Sequence, residues 1–114
     1  MRDEGKLTIE GRTQQVSIWV MAKKAEKIKD AWRTQILIRC IREGNRPLAD
    51  RPLVILRDNR AQEVGRAKTD ARGLFSCMLD LPGPGEYFVA AMIENTDLQA
   101  GEWVTVPAEE ARPE

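Results

Sequence analysis

The chain has 114 residues, 42% hydrophobic and 32% charged, the balance of a single folded domain rather than a disordered segment. Net charge is zero but uneven: residues 1–46 carry 11 Lys/Arg against 6 Asp/Glu, and residues 47–114 carry 7 against 12. Histidine is absent, which removes Ser-His-Asp and Cys-His constellations, the commonest metal ligand and the usual near-neutral acid/base.

The N-terminal third opens with two segments of strand character. Leu7 and Ile9 share a face of Lys6–Glu10, and Val16, Ile18 and Val20 share a face of Gln15–Met21. Between them Ile9-Glu10-Gly11-Arg12 reads either as a strand end with a Gly turn or as the protease recognition tetrapeptide of expression fusions. Lys23–Trp32 also has two readings: a short helix with Ala25, Ile28 and Trp32 in register, or a lysine-rich connection between strands. The apolar run Val16–Ala22 is too short to cross a membrane and too late for a signal peptide.

From Thr34 onward, short strands alternate with turn chemistry, the pattern of an all-β antiparallel sandwich. Gln35–Ile41 places Ile36, Ile38 and Cys40 on one face, and Gly44-Asn45-Arg46-Pro47 ends it. Leu53–Leu56 is closed by Asp58-Asn59-Arg60. Glu63–Lys68 is ended by Thr69-Asp70-Ala71-Arg72-Gly73. Leu74–Leu81, with Phe75, Cys77 and Leu79 on one face, stops at Pro82-Gly83-Pro84-Gly85. Glu86–Glu94 puts Tyr87, Val89, Ala91 and Ile93 together, and Glu102–Val106 adds Val104 and Val106. The expectation is about seven strands over residues 35–107, an N-terminal element over 1–34 packed on them, and an acidic tail at 108–114.

Three segments, in this order and spacing, resemble the carboxypeptidase regulatory-like domain. They are Gly44-Asn45-Arg46-Pro47-Leu48-Ala49-Asp50, Thr69-Asp70-Ala71-Arg72-Gly73-Leu74-Phe75 and Leu81-Pro82-Gly83-Pro84-Gly85-Glu86-Tyr87. The resemblance spans roughly residues 35–93. The chain departs from the family pattern at Asn45, at Asp50 and by one residue between Pro82 and Gly85. The likeness implies a transthyretin-like, or more loosely bacterial Ig-like, sandwich serving as an accessory or adhesive module, and it transfers no catalytic residue.

Chemistry-bearing motifs are few. Two cysteines without a CxxC pair do not make a zinc site, and Asp50, Asp58, Asp70, Asp80 and Asp97 are too scattered for a calcium loop. No phosphate-cradling glycine motif occurs. The expectation is therefore a non-enzymatic protein without cofactor or metal, kept in the cytoplasm with reduced thiols. Cys40 and Cys77 read as buried small hydrophobes, with a redox pair across the sandwich as the alternative.

The positive signal is that several strands are apolar on both faces. Val54 and Leu56, Phe88 and Met92, and Trp103 fall on the face opposite the core set, where a wetted strand reads polar. With the resemblance placing the Val54 strand beside the Phe88 strand, these five form a candidate surface for a protein partner or self-association. The competing expectation is that residues 1–34, with Trp19, Met21, Ile28 and Trp32, fold over that face. A second class of function is nucleic-acid or anionic-surface binding through the basic 23–46 segment, using Lys23, Lys24, Lys27, Lys29 and Arg33. The repeated aromatic-plus-basic pattern of a stacking platform is missing, which makes nucleic acid the weaker expectation.

Overall fold

Alternating apolar residues form strands here because each strand can bury one face against the facing sheet. The computed structural model describes residues 1–57 and 62–108; the turn expected at 58–60 and the acidic tail from 109 lie outside the described residues. Ten strand segments are present: β1 (Arg2–Ile9), β2 (Arg12–Ala22), β3 (Glu26–Ile28), β4 (Ala31–Arg42), β5 (Arg46–Pro47), β6 (Pro52–Arg57), β7 (Gln62–Lys68), β8 (Leu74–Leu81), β9 (Gly85–Ile93) and β10 (Gln99–Val106). They make two antiparallel sheets, with no α-helix among the described residues, an all-β sandwich.

The first sheet is organised on β4. Both β2 and β8 pair with residues 36–39 of β4, so they flank it on opposite sides. The same overlap puts short β3 on the β2 side and short β5 on the β8 side. In width this sheet is β1-β2-β4-β8. The second sheet runs β10-β9-β6-β7.

Residues 1–34 are therefore part of the sandwich and not a cover over it, and a boundary at residue 34 would cut β4 in two. Glu10-Gly11 is the two-residue turn joining β1 to β2, with Ile9 opposite Arg12, so residues 1–12 belong to the folded ladder. Lys23–Trp32 is not helical. Its middle pairs as β3 with β4, Ile28 opposite Ala31 and Glu26 opposite Arg33. Between the β2 and β3 pairings, residues 23–25 stand against only 34–35, and this bulge is pinned by Lys23 N–H to Gln35 O (2.9 Å) and by the buried Thr34 hydroxyl donating to Lys23 O (2.5 Å).

The core lies between the sheets. Val16, Ile18, Val20, Ile36, Ile38 and Cys40 meet Leu53, Ile55, Val89, Ala91, Ile93, Val104 and Val106, all buried. Burying each larger aliphatic side chain stabilises the fold by about 1.5–3 kcal/mol. Phe75, Cys77 and Tyr87 face the same interior but are only half-buried. Tyr87 also donates its hydroxyl to Gly83 O at 2.7 Å, tying the start of β9 to the preceding turn.

One end is locked by the turns around Gly73. Thr69, buried, donates its hydroxyl to Leu48 O (2.7 Å) and accepts from Arg51 N (2.8 Å). Asp70 Oδ1 accepts from Arg72 N and Leu74 N. Gly73 has φ +76, and a Cβ there would sit 2.4 Å from Cys40 O, so only glycine fits both the angle and the space. Its carbonyl takes Cys40 N–H at 2.8 Å, while Cys40 O takes Leu48 N–H at 3.0 Å.

Candidate partner-binding surface

Because Leu53, Ile55, Val89, Ala91 and Ile93 point inward, the alternate residues of β6 and β9 point to the outer face of the second sheet. Val54, Leu56 and Ala90 form a separate buried cluster there, with Phe88 and Met92 packed against it. The register makes Val54 the direct neighbour of Met92, Leu56 of Ala90, and Phe88 of Trp103. The five residues singled out by sequence thus lie on one surface, and β6 does lie beside β9.

They do not play equal parts. Val54 and Leu56 are each only 6% exposed, so they are the floor of the patch and not contact points. Trp103 is 58% exposed and leans on Phe88 with ring centroids 5.2 Å apart at 58°, a tilted aromatic pair. Phe88 reaches this position by lying across Gly101, where a Cβ would fall 2.6 Å from its ring. At the margin, Arg66 stands opposite Val54 on β7 and pairs with Glu63 and with Glu94 (2.7 Å). An apolar aromatic centre with a charged rim is the layout of a protein-binding surface.

The outer face of the first sheet carries a second apolar group that sequence reasoning did not assemble. Trp19, Met21, Leu37, Leu74 and Met78 occupy neighbouring positions on β2, β4 and β8. A shallow groove of about 590 Å³ runs among Trp19, Met21, Leu37 and Leu74. The expectation that Trp19 and Met21 fold over the outer face of the second sheet is not met: they lie on the first sheet and face away from the second. Arg2 lies over the Trp19 ring at 4.8 Å and is held by Glu4 at 2.7 Å, so that aromatic face already has a cation on it.

The basic residues do not converge. Lys23, Lys24, Lys27, Lys29 and Arg33 are all exposed around the β3–β4 hairpin. Adjacent strand positions alternate in face, so Lys27 points to the side opposite Glu26 and Arg33. Arg33 is bonded to Asp80 at 2.9 Å, and Glu26 stands directly across from it. Cations split over two faces and interleaved with carboxylates make a weak phosphate-binding surface.

The thiols are poorly placed for chemistry. Cys40 is fully buried, and desolvation pushes its pKa up to about 12; burial also raises that of half-buried Cys77. Both are free, and they lie in the same sheet, not across the sandwich. Cys77 is opposite Ile36, four residues from Cys40, a separation of at least about 13 Å at strand rise and beyond disulfide reach. Among the described residues no three Cys, Asp or Glu side chains gather around a common point suited to a metal, and no helix is long and apolar enough to cross a membrane. Comparison of the chain with protein-family models, with curated proteins and with solved structures returns no match.

Proposed function

We propose that this chain is a non-catalytic protein-binding module whose contact surface is the outer face of the second sheet. The observation that carries this reading is Trp103. A large aromatic side chain stands more than half exposed, propped on Phe88 above a buried floor of Val54, Leu56 and Ala90. An anchor whose orientation is fixed before contact loses little entropy on binding, and such aromatics dominate interface energies. The partner it fits presents an apolar pocket for the indole, ringed by polar groups that meet Arg66, Glu63 and Glu94. The order of turn motifs shared with carboxypeptidase regulatory-like domains supports the same reading, with a transthyretin-like arrangement of strands and an accessory role beside other domains or proteins. Two free, unreactive thiols suit a reducing compartment, and we place the module in the cytoplasm.

Phe88 is the wrong residue to probe, since it packs on the floor of the patch and its replacement by Asp would damage the fold. Trp103→Glu is the better variant. The partner is to be isolated on the wild-type chain and its affinity for both forms measured by calorimetry. The expected result is a loss of about 30-fold or more, the cost of a central aromatic anchor, at unchanged thermal stability. Equal affinity of the two forms contradicts the assignment of this face.

A further inference from the structure

We propose that β8 is a pairing edge for a second copy of this chain, joining the two first sheets into one continuous sheet about a twofold axis at Met78. This surface is separate from the Trp103 patch and does not depend on it.

The four sheet edges are not protected alike. The β1 edge carries Arg2, Asp3, Glu4 and Lys6. β7 carries Glu63, Arg66 and Lys68, and its pairing with β6 is broken by a bulge at Ile55/Leu56. β10 lies against β1 and β2: Gln99 N–H donates to Asp3 Oδ2 at 3.1 Å, and Glu102 Oε2 accepts Ala22 N–H at 2.7 Å. β8 carries the fewest of these devices, with Arg57 of the facing sheet reaching only its Asp80 carbonyl. Over eight residues, Leu-Phe-Ser-Cys-Met-Leu-Asp-Leu, it has no Lys, Arg or Pro, and its register with β4 runs unbroken from Leu74 to Leu81. Its one charge, Asp80, is paired with Arg33. Lysines, prolines and bulges are the usual guards of a free edge, and their absence marks a strand built to be paired.

The backbone shows which groups are free. Gly73 O accepts from Cys40 N, so odd-numbered residues of β8 bond towards β4 and even-numbered ones point away. Leu74 agrees, since its N–H and C=O are taken by Asp70 on the far side. Ser76, Met78 and Asp80 then present the open edge, and among the described residues only the Asp80 carbonyl finds a partner there, Arg57 Nη1 at 2.8 Å. The side chains agree as well. Phe75 and Cys77 face the core yet stay half-buried, and among the described residues no strand flanks β8 on its outer side.

A second β8 fits this edge. Antiparallel pairing of Met78 with Met78 of the other copy lets the two Met78 residues exchange two hydrogen bonds, and each Asp80 N–H reach a Ser76 carbonyl. That gives four bonds that leave the Arg57 contact intact. Facing residues then share a side of the sheet. On the inner face Phe75 meets Leu81 and Cys77 meets Leu79, all apolar. On the outer face the Ser76 hydroxyl meets the Asp80 carboxylate. The chain's zero net charge adds no repulsion between copies.

Sedimentation of the wild-type chain across concentrations is the test, alongside Met78→Pro. Proline removes an N–H that β4 does not use and fills the space of the incoming strand, which an edge strand tolerates. The expected result is a wild-type dimer whose dissociation constant rises about 100-fold or more in Met78→Pro. A variant that keeps the native fold signal, Met78→Cys with Cys77→Ser, is expected to oxidise to a covalent dimer, as residues paired about the axis lie within disulfide reach. A wild-type chain that stays monomeric at about 100 μM, an affinity poorer than the micromolar class, overturns the proposal. So does a dimer that survives Met78→Pro or is lost in Trp103→Glu instead, or a Met78→Cys chain that gives no covalent dimer.

Discussion

The two long sides of the sandwich close differently. On the β10 side the sheets are latched: Asp3 and Glu102 each accept a backbone N–H from the opposing sheet, and Leu98 packs onto Gly5. On the β7–β8 side the described bridge is Arg57 reaching the Asp80 carbonyl, and the core-facing Phe75 and Cys77 remain half-open. With extents of 66 × 24 × 19 Å and a radius of gyration of 16.0 Å, against about 13 Å for a compact chain of this size, the molecule is elongated, and its long sides are a large part of its surface. Among the described residues, one side is tied by several contacts between the sheets and the other by the Arg57 contact.

The sharpest way to break this contrast is at Gly73, the anchor that holds the start of β8. Gly73→Val forces a β-branched residue into positive φ and drives its Cβ into Cys40 O. The expected loss is about 3–5 kcal/mol in urea denaturation, enough to unfold a marginal domain. A smaller effect is expected on the latched side. Glu102→Ala removes one charge-assisted bond to Ala22 N–H and should cost about 1–2 kcal/mol by the same measurement. If the two variants cost the same, the open side does not depend on Gly73.

The subtlest test is acid. Hydrogen bonds from Leu74 N–H and Arg72 N–H hold the Asp70 carboxyl below its ordinary 3.8. A carboxyl with a lowered folded-state pKa contributes stability that is fully present above that ordinary value and disappears as pH falls through the folded one. Asp70→Asn keeps the turn but cannot ionise. The stability difference between wild type and Asp70→Asn should therefore be constant at neutral pH and shrink below about pH 4. A difference that does not change with acid contradicts the role given to those two bonds.

Much of this fold was legible because period-two alternation is a direct record of burial. Val16, Ile18 and Val20, like Ile36, Ile38 and Cys40, face the core as their spacing implies. The helix reading of Lys23–Trp32 failed for a definite reason. Ala25, Ile28 and Trp32 have helical spacing but do not share a face: Ala25 is buried, Ile28 is exposed opposite Ala31, and the turn at Lys29-Asp30 separates Ile28 from Trp32. Which sheet the N-terminal strands would join was not legible at all, because pairing partners leave no trace in local periodicity. That is why the expectation of Trp19 and Met21 over the second sheet, one of the two that the sequence leaves open, does not hold. For the candidate site, sequence identified the doubly apolar strands but could not separate floor from anchor. Val54, Leu56 and Ala90 are buried with Phe88 and Met92 packed against them, contacts between strands that local periodicity does not record.

Amide hydrogen exchange along β8, followed as a function of protein concentration, tests the open side most directly. The amides of Phe75 and Cys77, bonded towards β4, should be protected at every concentration. Those of Met78 and Asp80 should exchange freely in dilute solution and become protected as concentration rises. Protection of Met78 and Asp80 equal to that of Cys77 at the lowest concentration would mean that the chain covers its own edge. Free exchange at the highest concentration would mean that no second copy does.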